Sequence, residues 1–257
     1  MAIADKVTAI LNALPGPIAA SLRSDALLTR ALRPLVNRLV PPRPTWIVIR
    51  SGPARGLHLL IDPKTEKYYW TGTHEVAVQQ AISSSLKPGM TFWDIGAHIG
   101  FLTLLASRCV GDPGHVHAFE PMEQNRARLL AAIPRNGCKN ITVHAFALAS
   151  TSGDAVLHAH ESSLMWTLVR ERGRPAGRAV RCRTLDELAG SLPLPDLIKI
   201  DVEGAEVEVL RGGSRLLGTE RPTLIVEFSN DTLLAQAQEF LPFYTFERLA
   251  PRHWRAR

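Results

Sequence analysis

An acidic residue and two glycines stand between apolar runs in FWDIGAHIGFLT, residues 92–103. Asp94 follows the first run, and Gly96 and Gly100 come next, four positions apart. Because glycine has no side chain, a ligand can lie against the backbone where a strand turns into a helix. The pattern differs from the G-x-G-x-x-G of dinucleotide-binding loops, since His98 stands where that pattern requires glycine. The stretch therefore predicts a ligand site that is not a pyrophosphate cradle.

A second acid follows the next apolar strand, VHAFEP, in which Glu120 comes directly after the apolar residues. A carboxylate at the tip of the second strand of an α/β sheet can accept hydrogen bonds from both hydroxyls of a ribose. The alternative is a solvent-exposed acid that stabilises the start of the helix at Pro121. In combination with the glycine loop, the ribose interpretation is favoured.

Charged residues alternate with apolar ones in IKIDVEGAE, residues 198–206. Lys199, Asp201 and Glu203 should therefore point to one side where the strand leaves the sheet. In open α/β sheets this carboxyl edge is where ligands bind. Lys199 is interpreted as a structural ion-pair partner, because a buried lysine needs carboxylates nearby. An ion pair does not explain why three carboxylates, including Glu206, crowd at one strand end.

The elements that must position these residues alternate between strand and helix from residue 90 onward. Strands are predicted at 91–95, 115–120, 141–146, 196–201 and 222–228, and helices near 100–109, 122–134, 184–190 and 205–217. Strands such as LIKI and TLIVEF are apolar on both faces, which indicates an α/β fold whose mostly parallel sheet carries helices on both faces. The passage 149–183 breaks this rhythm and predicts an antiparallel excursion.

The chain divides into three predicted regions: an N-terminal helical extension (1–45), a β-hairpin and helix (46–89) and the core (90–257). Apolar residues recur at helical spacing over 17–40 with arginines opposite, so we expect an amphipathic helix that covers its own domain or lies on a membrane or partner. The strands 46–50 and 56–62 flank a Gly-Pro turn, and a helix follows at 74–86. After residue 228, about thirty residues are enough for a helix and one strand, FYTFERL.

The composition is that of a globular chain, with 257 residues of which 46% are hydrophobic and 21% charged. A net charge of +6 is a mild excess rather than the signature of a nucleic-acid-binding protein. It predicts a solvated basic surface, with contact to an anionic partner as the alternative. No apolar run approaches the ~20 residues of a membrane span, and the start lacks the basic segment of a signal peptide. Three cysteines without metal-ligand or disulfide spacing favour a cytoplasmic location.

A short polar stretch, HAHESS, offers His158, His160 and Glu161 on one predicted strand. These side chains could bind a metal ion, line an acceptor pocket or simply lie on the surface. No metal site is predicted, because the set lacks a further ligand at a suitable spacing.

Together, these motifs resemble the FkbM family of S-adenosylmethionine-dependent methyltransferases. The resemblance runs from about Trp46 to Phe228 and rests on GTHE (72–75), DIGAHIG, FEP, TLD (184–186), IKIDVEGAE and the closing VEF. It implies the class I methyltransferase (Rossmann-like) sheet, S-adenosylmethionine as cofactor, and methyl transfer to a hydroxyl oxygen of a natural product or sugar. The cofactor-binding residues that it implies are Asp94, Gly96, Ala97, His98, Gly100, Glu120 and Asp201.

A methylated alcohol must lose its proton as the new bond forms, and a carboxylate or histidine within reach can accept that proton. Strand-tip placement makes Asp201 and Glu203 the first candidates for this catalytic role. His98 is the next candidate, with Glu227 and His74 behind it.

Two other classes of protein compete with this interpretation. A nicotinamide-dependent oxidoreductase is disfavoured by the glycine spacing and by the absence of a Tyr-x-x-x-Lys pair. A non-catalytic Rossmann-like binding module is disfavoured because DIGAHIG and FEP are intact. The expected partner is a small-molecule or saccharide hydroxyl acceptor and not a nucleic acid, and the sequence leaves a homo-oligomer open.

Overall fold

The computed structural model describes residues 44–159, 166–169 and 177–257. The predicted helix at 17–40, and all but the end of the extension 1–45, lie outside these ranges. The strands are β1 Thr45–Val48, β2 His58–Ile61, β3 Thr91–Ile95, β4 His115–Phe119, β5 Ile141–His144, β6 Ala147–Leu148, β7 Gly153–Ala159, β8 Trp166–Val169, β9 Gly177–Arg183, β10 Leu197–Ile200, β11 Thr223–Glu227, β12 Phe246–Arg248 and β13 His253–Ala256. The helices are α1 Lys67–Thr71, α2 Val76–Ser85, α3 Phe101–Val110, α4 Glu123–Arg135, α5 Leu185–Ala189, α6 Glu206–Arg211, α7 Ser214–Thr219 and α8 Asp231–Phe240.

Seven strands form the main sheet, in the order β12-β13-β11-β10-β3-β4-β5. The pairs from β11 to β5 are parallel, whereas β13 pairs antiparallel with both β11 and β12. Strand order reverses between β3 and β10, which is the point where an open α/β sheet leaves a crevice at its carboxyl edge. The predicted ligand-binding residues after β3, β4 and β10 therefore meet at one edge.

Alternate residues of the central strands pack on opposite faces of this sheet. Phe92 joins a hydrophobic core with Leu104 of α3, whereas Trp93 joins a second core with Leu210 of α6. Residues of α2, α3 and α4 belong to the first core, and residues of α5 to α8 or directly after α8 belong to the second. Because both faces are covered, all four residues of β10 are buried, including Lys199. The predicted α/β fold class is confirmed.

The helix predicted over 205–217 is wrong as a single element, because the chain forms α6 and α7 there. Gly212, between them, packs against the backbone of the segment after β6. A Cβ atom at this position would lie 2.1 Å from the carbonyl oxygen of Ala149, so the approach requires glycine.

Among the described residues, no helix combines the length and apolar character that crossing a membrane needs.

The N-terminal part of the described chain packs onto the first core. Strands β1 and β2 pair antiparallel, which confirms the predicted hairpin. Ile47 and Leu59 from this hairpin share a core with Phe92. Helix α2 confirms the helix predicted at 74–86, whereas the short α1 was not predicted. The division of the chain at residues 45/46 and 89/90 stays a prediction.

A small second sheet accounts for the interruption between residues 149 and 183. Its order is β6-β9-β7-β8, and β7 pairs antiparallel with both β8 and β9. The predicted antiparallel excursion is therefore confirmed. One detail differs: residues 145–146 leave the main sheet after β5, and β6 pairs in parallel with β9.

The far edge of the main sheet has one strand more than the sequence indicated. After α8, both β12 and β13 form, with Val226 of β11 opposite Trp254. The strand expected within FYTFERL forms as β12, but the expectation that it would be the single strand after α8 is wrong. These strands have three and four residues, respectively, and each is held by its neighbour rather than by a long apolar pattern. An antiparallel pair thus completes the sheet edge.

Candidate functional site

The glycine loop after β3 lies directly against the ends of its two neighbouring strands. Gly96 has a φ of +78°. The backbone N–H groups of Gly96 and Ala97 donate hydrogen bonds to the Phe119 carbonyl, at 3.0 and 3.1 Å. A Cβ atom on Gly96 would lie 1.9 Å from the Asp201 carbonyl oxygen. Glycine is thus required because the turn brings the backbones of β3 and β10 together.

The two ends of this loop are anchored in the protein interior. Gly100 precedes α3 with a φ of +91°, and a Cβ atom there would lie 2.3 Å from Leu129 Cδ1. Asp94, at the other end, is fully buried on β3. Its Oδ2 accepts a 2.5 Å hydrogen bond from Thr103 Oγ1 of α3. Helix α3 is therefore held against the strand that precedes the loop.

Glu120 stands at the tip of β4 and is 5% exposed. Its Oε2 accepts a hydrogen bond from the His98 N–H at 2.9 Å, and its Oε1 accepts one from the Met122 N–H at 2.8 Å. Burial raises the pKa of the Glu120 carboxyl to about 7, although these two N–H groups lower it. The alternative interpretation of a solvent-exposed acid is wrong, because Glu120 is buried.

A buried lysine connects the glycine loop with the end of β10. Lys199 Nζ lies 3.4 Å from Asp94 Oδ1 and 3.5 Å from Asp201 Oδ2. It also donates to the Gly96 carbonyl at 2.8 Å. Burial lowers the pKa of Lys199, but the carboxylates of Asp201 and Asp94 outweigh burial and hold it above its usual value. The ion-pair interpretation of Lys199 agrees with these contacts.

The segment after β10 presents acids with different surroundings. Burial raises the pKa of Asp201, while Lys199 lowers it. Burial, together with the carboxylates of Asp201 and Glu227, raises the pKa of Glu203 to about 7. Glu206 is fully buried, and its Oε1 accepts a 2.7 Å hydrogen bond from the Gly204 N–H. Glu206 thus stabilises the turn, whereas Asp201 and Glu203 face the adjacent cavity.

A cavity of about 320 Å³ opens at this edge of the sheet. The residues predicted from sequence that line it are Gly96, His98, Glu120, Asp201 and Glu203, together with the lower-ranked base candidates His74 and Glu227. Three further predicted residues do not line the cavity but lie behind its wall: Asp94, Ala97 and Gly100. The structure therefore brings the predicted cofactor-binding and catalytic residues to one place.

Strained backbone is concentrated around the cavity. Among the described residues, positive φ values occur at four non-glycine positions, which are Glu75, His98, Glu203 and Arg221. The first three line the cavity. Each such conformation costs ~1–3 kcal/mol and persists where the surrounding structure enforces it, which is typical of functional sites.

His98 is held by hydrogen-bonding and charged neighbours. Its Nδ1 lies 3.2 Å from the Tyr69 hydroxyl, and its Nε2 lies 3.9 Å from Glu66 Oε1. Glu66 in turn accepts a 3.0 Å hydrogen bond from Arg128. Burial lowers the pKa of His98 to about 4. The imidazole is therefore neutral near pH 7 and is a weak base.

Another part of the cavity wall carries a network of acids and bases. Arg252 Nε donates to Glu227 Oε1 at 2.7 Å, and His253 Nε2 lies 3.0 Å from Glu227 Oε2. Glu75 Oε1 lies 2.9 Å from His74 Nε2 and 3.9 Å from His253 Nε2. Burial raises the pKa of Glu227, but the hydrogen bonds from His253 and Arg252 outweigh burial and lower it.

Sequence reasoning missed part of this wall. The sequence indicates His74 and Glu227 as candidate bases, but it gives Arg252 and His253 no role in the site. These two residues follow Pro251 in PRHWRAR, where no periodicity marks them. The pairing of β13 with β11 brings Arg252 to the cavity and His253 against Glu227, beside it. Ligand atoms of Glu75, Glu227 and His253 lie within 4.8 Å of one another, close enough to share a metal ion.

The sequence also offered a possible metal site at His158, His160 and Glu161, and the structure does not test it. Residues 160–165 lie outside the described ranges, and the side chain of His158 is not described either.

The strand order, the glycine loop after β3 and the acid at the tip of β4 define a class I methyltransferase fold. The chain belongs to the FkbM methyltransferase domain family, whose match covers residues 94–248. The resemblance seen in the sequence is thereby confirmed, and so is the Rossmann-like fold.

Two known proteins illustrate this relationship. Hexuronic acid methyltransferase AglP from Haloferax volcanii is 30% identical over 127 residues, which are 49% of this chain and 50% of that protein. The crystal structure of methyltransferase FkbM from Methylobacillus flagellatus superposes with a TM-score of 0.50 at 17% identity, covering 74% of this chain and 54% of the other. The chain thus spans about half the length of the relatives it matches.

S-adenosylmethionine is the cofactor of this domain family, and the residues present fit it. Gly96 lines the cavity with backbone alone, so a ligand can approach the loop closely there. Glu120 lines the cavity with a carboxylate whose two oxygens can accept the hydroxyls of a ribose. The glycine loop thus fits the cofactor by its shape, and Glu120 fits it by its capacity to accept hydrogen bonds.

Proposed function

We propose that this protein transfers the methyl group of S-adenosylmethionine to a hydroxyl oxygen of a saccharide. The observation that carries the proposal is a single cavity lined by both the acid at the β4 tip and the acids after β10. One end offers a ribose-binding carboxylate, and the other offers groups that can bind and deprotonate an acceptor. The likeness to a hexuronic acid methyltransferase supports a sugar acceptor over other natural products.

We assign cofactor binding to the residues Asp94, Gly96, Ala97, His98, Gly100, Glu120 and Asp201. Glu120 accepts the ribose hydroxyls, while its bond to the His98 N–H keeps the loop in register with β4. Asp94 and Ala97 act from behind the wall, by holding α3 and the tip of β4 against the loop. Lys199 donates to the Gly96 carbonyl and so fixes the loop against β10. When bound, the cofactor supplies an electrophilic methyl group on its sulfonium.

The acceptor hydroxyl must be aligned behind that methyl group and must lose its proton as the carbon–oxygen bond forms. Glu203 is the base that we favour, because a pKa of about 7 matches proton acceptance at neutral pH. Asp201 is the second candidate, since Lys199 compensates its negative charge. His98 is the weakest of the three, because burial lowers its pKa to about 4.

Calorimetric titration separates this proposal from its two competitors. Purified protein is titrated with S-adenosylhomocysteine and, separately, with NAD. Binding of S-adenosylhomocysteine alone supports the methyltransferase. Binding of NAD alone indicates an oxidoreductase, and binding of neither compound indicates a non-catalytic module.

An acceptor screen tests the sugar. Methyl glycosides of glucuronic and galacturonic acid are incubated with S-adenosylmethionine and protein, and the matching glycosides of glucose and galactose serve as neutral counterparts. We expect S-adenosylhomocysteine to form together with a product one methyl group heavier. Mild base then distinguishes the products, because it hydrolyses a methyl ester but not a methyl ether. A base-stable product supports transfer to a hydroxyl, and a base-labile one places the methyl group on the carboxylate.

Three further points from the sequence stay predictions. They are the cytoplasmic location, the absence of a nucleic-acid partner and the oligomeric state, for which the sequence leaves a homo-oligomer open. Size-exclusion chromatography with light scattering measures the last of these directly.

A further inference from the structure

Three side chains from distant parts of the chain converge beside the cavity. Glu75 lies in the turn before α2, Glu227 ends β11 and His253 begins β13. His253 Nε2 lies 3.0 Å from Glu227 Oε2 and 3.9 Å from Glu75 Oε1. Two carboxylates and one imidazole are a ligand set that divalent first-row metal ions accept.

The burial of this group separates it from an ordinary patch of surface acids. Glu227 is 8% exposed, and the side chains of Glu75 and His253 are 16% and 14% exposed. Both carboxylates also line the cavity, so an ion between them would be reached from its interior. Partial burial limits competition from water, and the cavity leaves room for further ligands.

Each carboxylate is also oriented by a second partner that leaves a lone pair available. Arg252 donates to Glu227 Oε1, whereas Oε2 is the oxygen that faces His253. His74 Nε2 lies 2.9 Å from Glu75 Oε1, and a carboxylate oxygen with two lone pairs can accept this bond and still bind an ion. Metal-binding carboxylates are commonly held by outer hydrogen bonds of this kind.

The distances also allow the three groups to share one ion. Ligand atoms ~2.1 Å from one ion are separated by ~3.0 Å when adjacent and by ~4.2 Å when opposite. The observed 3.0 Å separation matches adjacent ligands, and the 3.9 Å separation lies between the adjacent and opposite values. We propose that Glu75, Glu227 and His253 form a binding site for a divalent cation of the Mn²⁺ type, with its open coordination positions toward the cavity.

This site goes beyond the proposed function, and its existence does not depend on methyl transfer. If the proposed function also holds, the open positions are placed where the acceptor's oxygen atoms would bind. The competing explanation is that a protonated His253 bridges both carboxylates without any ion. In that case the three residues form a salt-bridge network only.

Electron paramagnetic resonance of free Mn²⁺ tests the site without cofactor or acceptor. We expect one Mn²⁺ to bind per chain with a Kd below ~100 µM. The variants Glu75→Gln, Glu227→Gln and His253→Asn should each weaken binding at least ~tenfold. Glu247→Gln is the matched control, since Glu247 is an exposed partner of Arg255, and it should bind Mn²⁺ like the wild type.

A second measurement identifies the imidazole as a direct ligand. Electron spin echo spectra of the Mn²⁺-loaded protein should show coupling to one ¹⁴N nucleus, and His253→Asn should lose it. Circular dichroism confirms that each variant is folded, and Glu75→Gln, outside the sheet, tests the site if Glu227→Gln fails to fold. Absence of saturable binding up to ~1 mM, or equal binding by all variants, would overturn the site. Titration with S-adenosylhomocysteine is run separately, so that loss of the metal site and loss of the proposed function are distinguished.

Discussion

The carboxylate of Glu120 accepts a 2.9 Å hydrogen bond from the backbone N–H of His98. This contact joins the tip of β4 to the glycine loop after β3, so one buried carboxyl supports two parts of the cofactor-binding wall. Burial raises the pKa of that carboxyl to about 7. If Glu120 binds the ribose as proposed, its protonation state should affect cofactor affinity near neutral pH.

Replacing Glu120 by alanine should weaken the binding of S-adenosylhomocysteine at least tenfold. The variant loses two charge-assisted hydrogen bonds to the ribose, each worth ~1.5–3 kcal/mol. Isothermal titration calorimetry measures the change. Glu123→Ala is the control, because Glu123 is exposed in the first turn of α4. Unchanged affinity in a folded Glu120→Ala protein would contradict the ribose assignment.

Cofactor affinity should increase with pH between 6 and 7 and level off above ~7. The ionised carboxylate binds hydroxyl donors, so affinity rises as Glu120 loses its proton, by at most ~tenfold per pH unit. The stability of the cofactor-free protein should change with pH in the opposite direction. Because folding raises the pKa of Glu120, the protonated carboxyl contributes stability at low pH, and this contribution is lost as pH rises towards 7.

Calorimetry across this pH range checks the prediction for cofactor affinity. Glu120→Gln should flatten the dependence. Glu203→Gln should keep it, although the pKa of Glu203 is also raised to about 7. A flat wild-type profile would remove Glu120 from this role.

Gly96→Ala should destabilise the protein more than Gly56→Ala does. Both glycines have positive φ, which costs alanine ~1–2 kcal/mol. A Cβ atom on Gly96 would also lie 1.9 Å from the Asp201 carbonyl oxygen, whereas one on Gly56 has no neighbour within 4 Å. Urea denaturation gives both free energies of unfolding. Equal losses would show that the approach of the loop to β10 is not tight.

The amide variants Asp201→Asn and Glu203→Gln test the proton acceptor, with the sugar found in the acceptor screen. We expect near-normal binding of S-adenosylhomocysteine and a ~10²-fold or larger loss of kcat in the variant that lacks the base. His98→Asn is measured in parallel as the third candidate. If both amide variants retain wild-type turnover, neither Asp201 nor Glu203 is the base.

Protonation of His117 should destabilise the fold in mild acid. Burial, followed by the neighbouring His115 and His144, lowers the pKa of His117 to about 4. A depressed pKa means that stability present above pH ~6.5 is lost as pH falls towards 4. Urea denaturation should show a steeper loss between pH 6.5 and 4.5 in the wild type than in His117→Asn. The control His58→Asn, outside this histidine group, should keep the wild-type slope.

The central sheet could be predicted because its signals are local. The strand expected at 91–95 forms at Thr91–Ile95, since a short apolar run followed by Asp94 and a glycine turn is typical of a buried parallel strand. Grouping the loop, Glu120 and Asp201 at one edge followed from a general rule, namely that parallel strands end on the same side. β12 lies within the predicted FYTFERL, whereas β13, His253–Ala256, carries no such signal, because its four residues include no apolar run.

The sequence by itself determined the family, the fold and the cofactor-binding motifs, all of which depend on residue types at short spacing. Only the tertiary structure decided which of the chain's many acids share the cavity. Glu75, Glu227 and His253 meet because β13 pairs with β11 and the turn before α2 reaches the same edge. The tertiary structure also decided the acidity of each group. Burial raises the pKa of Glu120 to about 7, while the partners of Glu227 lower its pKa, because desolvation and neighbouring charge depend on contacts between distant segments.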